Sequence, residues 1–193
     1  MRKLTYLVAS TVDGRIGGPD GGDPTAWFST EGSHMAALFQ DYPECLPGAA
    51  RDALGITGPN RLFDTVLQGR GSYRLGAEHG VHNAYPHLTN YVFSRTLTEI
   101  PDPTVHLVGS DPLEAVRTLK SEPGLGIWLC GGGRLAGLLL PEIDELVIKL
   151  HPIVAGDGIP LFGDAGFEPR YWDLTAHQVF DTGVAHLTYR RAS

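Results

Sequence analysis

Apolar residues in this chain gather in short runs, punctuated by glycine, proline and aspartate. Leu4-Thr5-Tyr6-Leu7-Val8-Ala9 is almost unbroken and of strand length, the pattern of a strand buried on both faces. Comparable runs recur at Thr65–Gln68, Asn90–Phe93, Val105–Val108, Ile127–Cys130 and Glu145–Leu150. Between them the spacing becomes helical. Met35, Leu38 and Phe39 form one apolar face of a helix that Ser29 or Thr30 would cap and that runs to Gln40. Ser110 or Asp111 caps a second helix through Lys120, and a Leu/Ala-rich helix runs to Leu140. Gly69-Arg70-Gly71-Ser72-Tyr73 predicts another strand-to-helix turn. Residues 10–26, 43–62 and 76–89 predict irregular chain. Two last strands, near 171–180 and 184–190, are joined by a hairpin turn at Asp181-Thr182-Gly183. Strands alternating with helices, and a hairpin at the end, predict a single α/β domain over 1–193. Its sheet is mostly parallel, with an antiparallel C-terminal hairpin.

The strand 127–130 runs into Gly131-Gly132-Gly133 and then the helix. Side chains are missing where strand becomes helix, so bare N–H groups and the helix N-terminus can receive an anion. Gly131, Gly133 and Ala136 fit the spacing G-x-G-x-x-G/A. An ordinary dinucleotide fingerprint also wants an acid about 20 residues on. Val147-Ile148-Lys149-Leu150-His151 offers none. Two further strand ends carry phosphate-friendly groups, Gly69-Arg70 and Ser94-Arg95-Thr96. Ligands of open α/β sheets sit beyond the carboxyl ends of the strands. The turns suit a pyrophosphate. Ser94-Arg95-Thr96 suits a phosphomonoester such as the ribose 2′-phosphate that separates NADPH from NADH.

Composition narrows the partners. A net charge of −7 without any Lys/Arg run argues against nucleic acid. No apolar stretch approaches the ~20 residues of a membrane span. The N-terminus lacks a signal-peptide pattern, which predicts a cytoplasmic protein. Cys45 and Cys130 form no C-x-x-C, and Cys130 reads as a small core residue. His79, His82 and His87 lie in a loop without metal-ligand spacing, so no metal is expected.

Five segments in order carry a resemblance. Ala9-Ser10-Thr11-Val12-Asp13-Gly14-Arg15-Ile16 resembles the "A-S-x-D-G-x-I" segment of dihydrofolate reductase-like reductases, with one extra residue. Leu67–Tyr73 is similar to their "G-R-x-T-Y/W" turn, Val92–Leu97 to "V-x-S-R-T-L" and Gly131–Leu135 to "G-G-x-x-L". Asp144–Leu146 with Pro152–Phe162 resembles "D-E-L…P-V-x-x-G-x-G-x-P-L-F". Within that group the chain is most similar to the riboflavin-biosynthesis reductase domain, the C-terminal half of a bifunctional deaminase–reductase, and its stand-alone relatives. The deaminase half and its zinc signature are absent from this sequence.

The resemblance implies a three-layer dihydrofolate-reductase-like fold, NADPH as cofactor, and hydride transfer to a small ribosylaminopyrimidine-like or pterin-like substrate. It implies cofactor contacts at Ala9, Gly69, Arg70, Ser94, Arg95, Thr96, Gly131, Gly132, Gly133, Arg134 and Leu135. Asp13 would orient substrate or relay the proton that hydride delivery to C=N or C=O requires. Glu31 is a second acid candidate, and Trp27 and Phe28 are candidate substrate contacts, although their spacing departs from the folate-reducing pattern. Asp13 reads equally as a turn residue, and Glu31 as a helix first-turn acid. The resemblance and the apolar final strands predict a homodimer. Two other readings stay open: a nucleotide-binding protein without catalysis, and a reductase using a flavin in the same cleft.

Overall fold

The computed structural model describes residues 1–192 and contains the expected α/β architecture. Ten strands form: β1 (Leu4–Ser10), β2 (Arg15–Gly17), β3 (Phe63–Gly69), β4 (Thr89–Phe93), β5 (Val105–Val108), β6 (Gly126–Gly131), β7 (Glu145–Leu150), β8 (Ile159–Pro160), β9 (Trp172–Val179) and β10 (Ala185–Arg191). Five helices accompany them: α1 (Ser33–Asp41), α2 (Gly48–Ala53), α3 (Arg70–Ala77), α4 (Pro112–Ser121) and α5 (Gly133–Leu139). Eight strands make one sheet in the order β5-β4-β3-β6-β1-β7-β10-β9. Pairing is parallel from β5 to β7. It is antiparallel for β7–β10 and β10–β9.

Side-chain alternation divides the core into two faces. Leu4, Tyr6, Leu67, Ile127, Leu129, Leu146 and Ile148 meet α4 and α5 through Val116, Leu119, Leu135 and Leu139. Leu7, Val66, Trp128 and Val147 point the other way and meet Leu38, Met35 and Phe39 of α1. Helices on both sides of the sheet make the three layers. Asp111 caps α4, its carboxylate accepting from the Leu113 N–H at 2.9 Å, with Pro112 opening the helix.

Four local expectations need correction. The first helix starts at Ser33, not at Ser29 or Thr30. Gly32 precedes it at φ 111°, a conformation that forces the chain out of the helix there. Residues 43–62 are not wholly irregular, because α2 forms behind Pro47. At six residues it is too short to show a period. The helix α3 extends to Ala77, into the stretch read as loop. Finally, β2 and β8 pair antiparallel in a small ribbon inside two loop regions. Three and two residues, two of them glycine or proline, leave no strand pattern to detect.

Candidate functional site

The ends of three adjacent strands, β4, β3 and β6, carry the turns singled out above. At the end of β6 the three glycines do different things. Gly131 has φ 148°, which only glycine adopts easily, and a Cβ there would face Ser72 Oγ at 3.4 Å. Gly132 opens on space; its nearest neighbour would be the same hydroxyl at 3.9 Å. Gly133 is packed: a Cβ would lie 1.8 Å from the Pro160 carbonyl oxygen. Its own carbonyl accepts from the Gly163 N–H at 2.9 Å. Gly131 and Gly132 therefore leave room for a ligand, and Gly133 admits the neighbouring chain.

Gly69 lies next to this turn, its Cβ position 3.6 Å from the Gly131 carbonyl oxygen, and it leads directly into α3. Arg70 is exposed and its guanidinium donates to Thr96 Oγ1 at 2.9 Å, tying the β3 turn to the β4 turn. Ser94 is buried, and its hydroxyl accepts from the Thr96 and Leu97 N–H groups at 3.2 and 3.0 Å. Ser94 thus shapes the loop, while Arg95 stands in solvent. Arg134 turns away to a salt bridge with Asp164 at 2.6 Å, and the Leu135 side chain belongs to the core. Neither side chain faces the turn, so of the two only backbone could meet a ligand there.

A cleft of about 530 Å³ lies beside the Gly131–Gly132 turn. Its floor is built by residues near the carboxyl ends of neighbouring strands: Gln68, Cys130, Ala9 and Lys149. Leu38, Cys45, Tyr85, Trp128 and Phe28 wall it. Tyr85 meets Trp128 edge-on at 4.9 Å and its hydroxyl lies 3.9 Å from Cys130 Sγ. Burial pushes the Cys130 thiol up to about 11 and raises Cys45 as well, so both are protonated at neutral pH. Burial also moves the Lys149 ammonium below its ordinary range. Of the residues read from sequence, Ala9, Phe28, Gly131 and Gly132 line this cleft. Cys130, expected as core filler, lines it too.

The proposed acids do not. One Asp13 carboxylate oxygen accepts from Thr11 Oγ1 at 2.6 Å and the Ala155 N–H at 3.0 Å; the other accepts from the Gly156 N–H at 2.7 Å. The Thr11 hydroxyl and these amides hold its carboxyl down at about 2. Through these bonds Asp13 straps the first loop to residues 155–156. Glu31 is exposed and outside the cleft lining. Trp27 packs tilted against Phe28 at 4.1 Å, while Phe28 packs against His151 at 4.6 Å. Behind Phe28, His34, His151 and His186 are all buried. The loop histidines part company: His82 meets Tyr73, His87 meets the Glu44 carbonyl and His79 is exposed.

The characteristic sequence pattern of the RibD C-terminal domain matches residues 2–186. The chain belongs to the RibD C-terminal domain family. Among its relatives is the uncharacterized protein YyaP of Bacillus subtilis, 32% identical over 149 residues, which are 70% of this chain and 78% of that protein. Another is the uncharacterized protein YwjB of the same organism, 29% identical over 172 residues, 88% of this chain and 87% of that one. Two solved structures share the fold. One is described as a riboflavin biosynthesis protein from Shewanella sp. PV-4, with TM-score 0.71, 21% identity and coverage of 99% of both chains. The other is dihydrofolate reductase from Enterococcus faecalis complexed with NADP(H) and RAB-propyl, with TM-score 0.66, 16% identity and coverage of 99% and 97%. This RibD C-terminal domain therefore has a dihydrofolate-reductase-like fold.

The strap at Asp13 gives a direct test. In Asp13→Asn the amide NH2 would confront a backbone N–H that now donates to the carboxylate. Hydrogen exchange at Ala155 and Gly156 is expected to speed up while the sheet stays protected. The carboxyl is held below its ordinary 3.8, so the strap is intact above that pH and is lost as pH falls through about 2. Unchanged exchange in the variant would show that Asp13 holds nothing.

Proposed function

We propose that the protein is an NADPH-dependent reductase of a small planar heterocycle. The observation that carries this reading is the placement of three anion-friendly turns, at Gly69-Arg70, Ser94-Arg95-Thr96 and Gly131-Gly132, on adjacent strand ends, with Gly131-Gly132 lining the cleft and Arg70 bonded to Thr96. The space open at Gly132 and the hydroxyl of Ser72 suit a pyrophosphate. Arg95, Thr96 and the Arg70 guanidinium suit the ribose 2′-phosphate. Bound NADPH supplies a hydride. The cleft walls then exclude water and hold the acceptor flat between aromatic and aliphatic side chains. The NADP(H) bound to the Enterococcus faecalis neighbour supports the same cofactor for this fold.

Arg95 is the residue to test. It is exposed, so its replacement leaves the fold alone. Arg95→Ala is expected to weaken NADPH by about 1.5–3 kcal/mol, the range for a hydrogen bond to a charged group, and to leave NADH unchanged. Calorimetric titration of both cofactors reads the ratio. A ratio equal to wild type would remove Arg95 from 2′-phosphate recognition.

A further inference from the structure

The cleft holds a cation for which the described residues supply no counter-ion. Lys149 lies next to the end of β7, and side-chain alternation turns it, with Val147, toward the α1 side of the sheet and onto the cleft floor. Among the described residues its ammonium makes neither a salt bridge nor a side-chain hydrogen bond, whereas Lys120 meets Asp144 at 2.7 Å. Its titratable neighbours are the Cys45 and Cys130 thiols, which burial keeps protonated, and the His151 and His186 imidazoles, none of which is an anion. The chain has 22 acidic residues against 15 basic ones, yet Asp23 is the one carboxylate among the described lining residues. Asp23 stands exposed at the rim, and its carboxylate accepts from the Thr25 N–H at 2.9 Å. A partly desolvated ammonium without an anion is costly, and proteins ordinarily pair such groups.

The cofactor phosphates do not answer this need. Three strands, β3, β6 and β1, separate β7 from β4, which places Lys149 about 19 Å across the sheet from the β4 turn. The Gly131–Gly132 turn is two strands away, about 10 Å by the same spacing. The partner has to come from whatever occupies the β7 side of the cleft.

We infer that Lys149 receives an acidic group of the substrate, so that the acceptor reduced in this cleft is a planar anion such as a ring carboxylate or an acidic ring oxygen. This rests on the reductase reading for the word substrate, though not for the binding itself. Trp128, Tyr85, Leu38 and Phe28 hold the ring, and the ammonium fixes which edge points toward β7. A cationic or neutral heterocycle that recognition by a carboxylate would favour finds no such acid on the floor. Lys149 accordingly selects among substrates by charge.

The test uses matched probes, orotate against orotamide and 4-aminobenzoate against 4-aminobenzamide, titrated calorimetrically into wild type, Lys149→Met and Lys149→Arg. NADPH is titrated into each protein in parallel. Wild type is expected to prefer at least one carboxylate over its amide by about ten-fold or more, as a charge-assisted hydrogen bond implies. Lys149→Met should lose that preference with its melting temperature held or raised, and Lys149→Arg should retain part of it. No carboxylate preference in wild type, or a preference that survives in Lys149→Met, overturns the inference. If Lys149→Met fails to fold, Lys149→Arg decides against the inference should it match neither the wild-type preference nor its direction. Failure of NADPH to bind any of the three proteins overturns the reductase reading instead, and the probe titrations stand independently of it.

Discussion

Gly132→Val is expected to leave the protein folded and to abolish NADPH binding, whereas Gly133→Val is expected to unfold it. The two positions are neighbours in one tripeptide, and sequence gives them the same role. Gly132 has φ −48° and ψ 153°, a conformation open to any residue. A side chain there grows into the space where a pyrophosphate would meet the bare N–H groups, so the loss falls on the ligand. A loss of about 100-fold in affinity corresponds to about 2.7 kcal/mol. At Gly133 the side chain would start 1.8 Å from a backbone oxygen of Pro160. Backbone of β8 cannot swing aside as a surface side chain can. Overpacking of this kind costs about 3 kcal/mol or more, a large part of a domain's total of about 5–15 kcal/mol. Thermal melts and NADPH titrations on both variants separate the two effects. Equal melting temperatures for the pair, or NADPH binding that survives in Gly132→Val, would contradict this assignment.

Acid is expected to destabilise the protein well before its carboxylates titrate. Burial, with the positive charge of Lys149 and the neighbouring histidines, holds His151 and His186 down at about 4, against an ordinary 6.5. His186 Nε2 is buried without a hydrogen-bond partner. Protons bind the unfolded chain at both positions below pH 6.5 but enter the folded protein only near 4. Stability present above 6.5 is therefore lost progressively as pH falls through that window. A shift of this size corresponds to about 3 kcal/mol for one histidine, and less than twice that for the pair because their charges repel. Urea midpoints measured from pH 7 to 4.5 should fall steeply, and His186→Leu should flatten the fall. Midpoints constant over that range would show that these histidines titrate normally.

Much of the sheet was legible because its central strands are buried on both faces. Runs such as Leu4–Ala9 and Ile127–Cys130 have no competing interpretation at that length. The helix cap at Asp111 was equally plain, since its chemistry is local. What sequence hid was set by contacts between distant residues. The Asp13 carboxylate reads as a turn acid or a proton donor until Ala155 and Gly156, some 142 residues on, bring their amides to it. The glycine triplet reads as one phosphate turn until Pro160 arrives at Gly133. Lys149 was visible as a polar residue in an apolar strand. Its meaning depends on the cleft it lines and on Cys45 and Cys130 lying near it, which no spacing in the chain reveals. Trp27, Phe28 and Glu31 were placed by proximity in sequence, and only Phe28 lines the cleft.

Whether the turns at β4, β3 and β6 hold NADPH is read directly by calorimetric titration of wild-type protein with NADPH and NADH, run beside Gly132→Val and Arg95→Ala. Wild type is expected to show one saturable site, with NADPH the tighter ligand by ten-fold or more as a charge-assisted phosphate contact implies. Gly132→Val is expected not to bind, and Arg95→Ala to show a reduced preference. Absence of saturable heat from either cofactor in the folded wild-type protein would contradict NADPH binding at these turns.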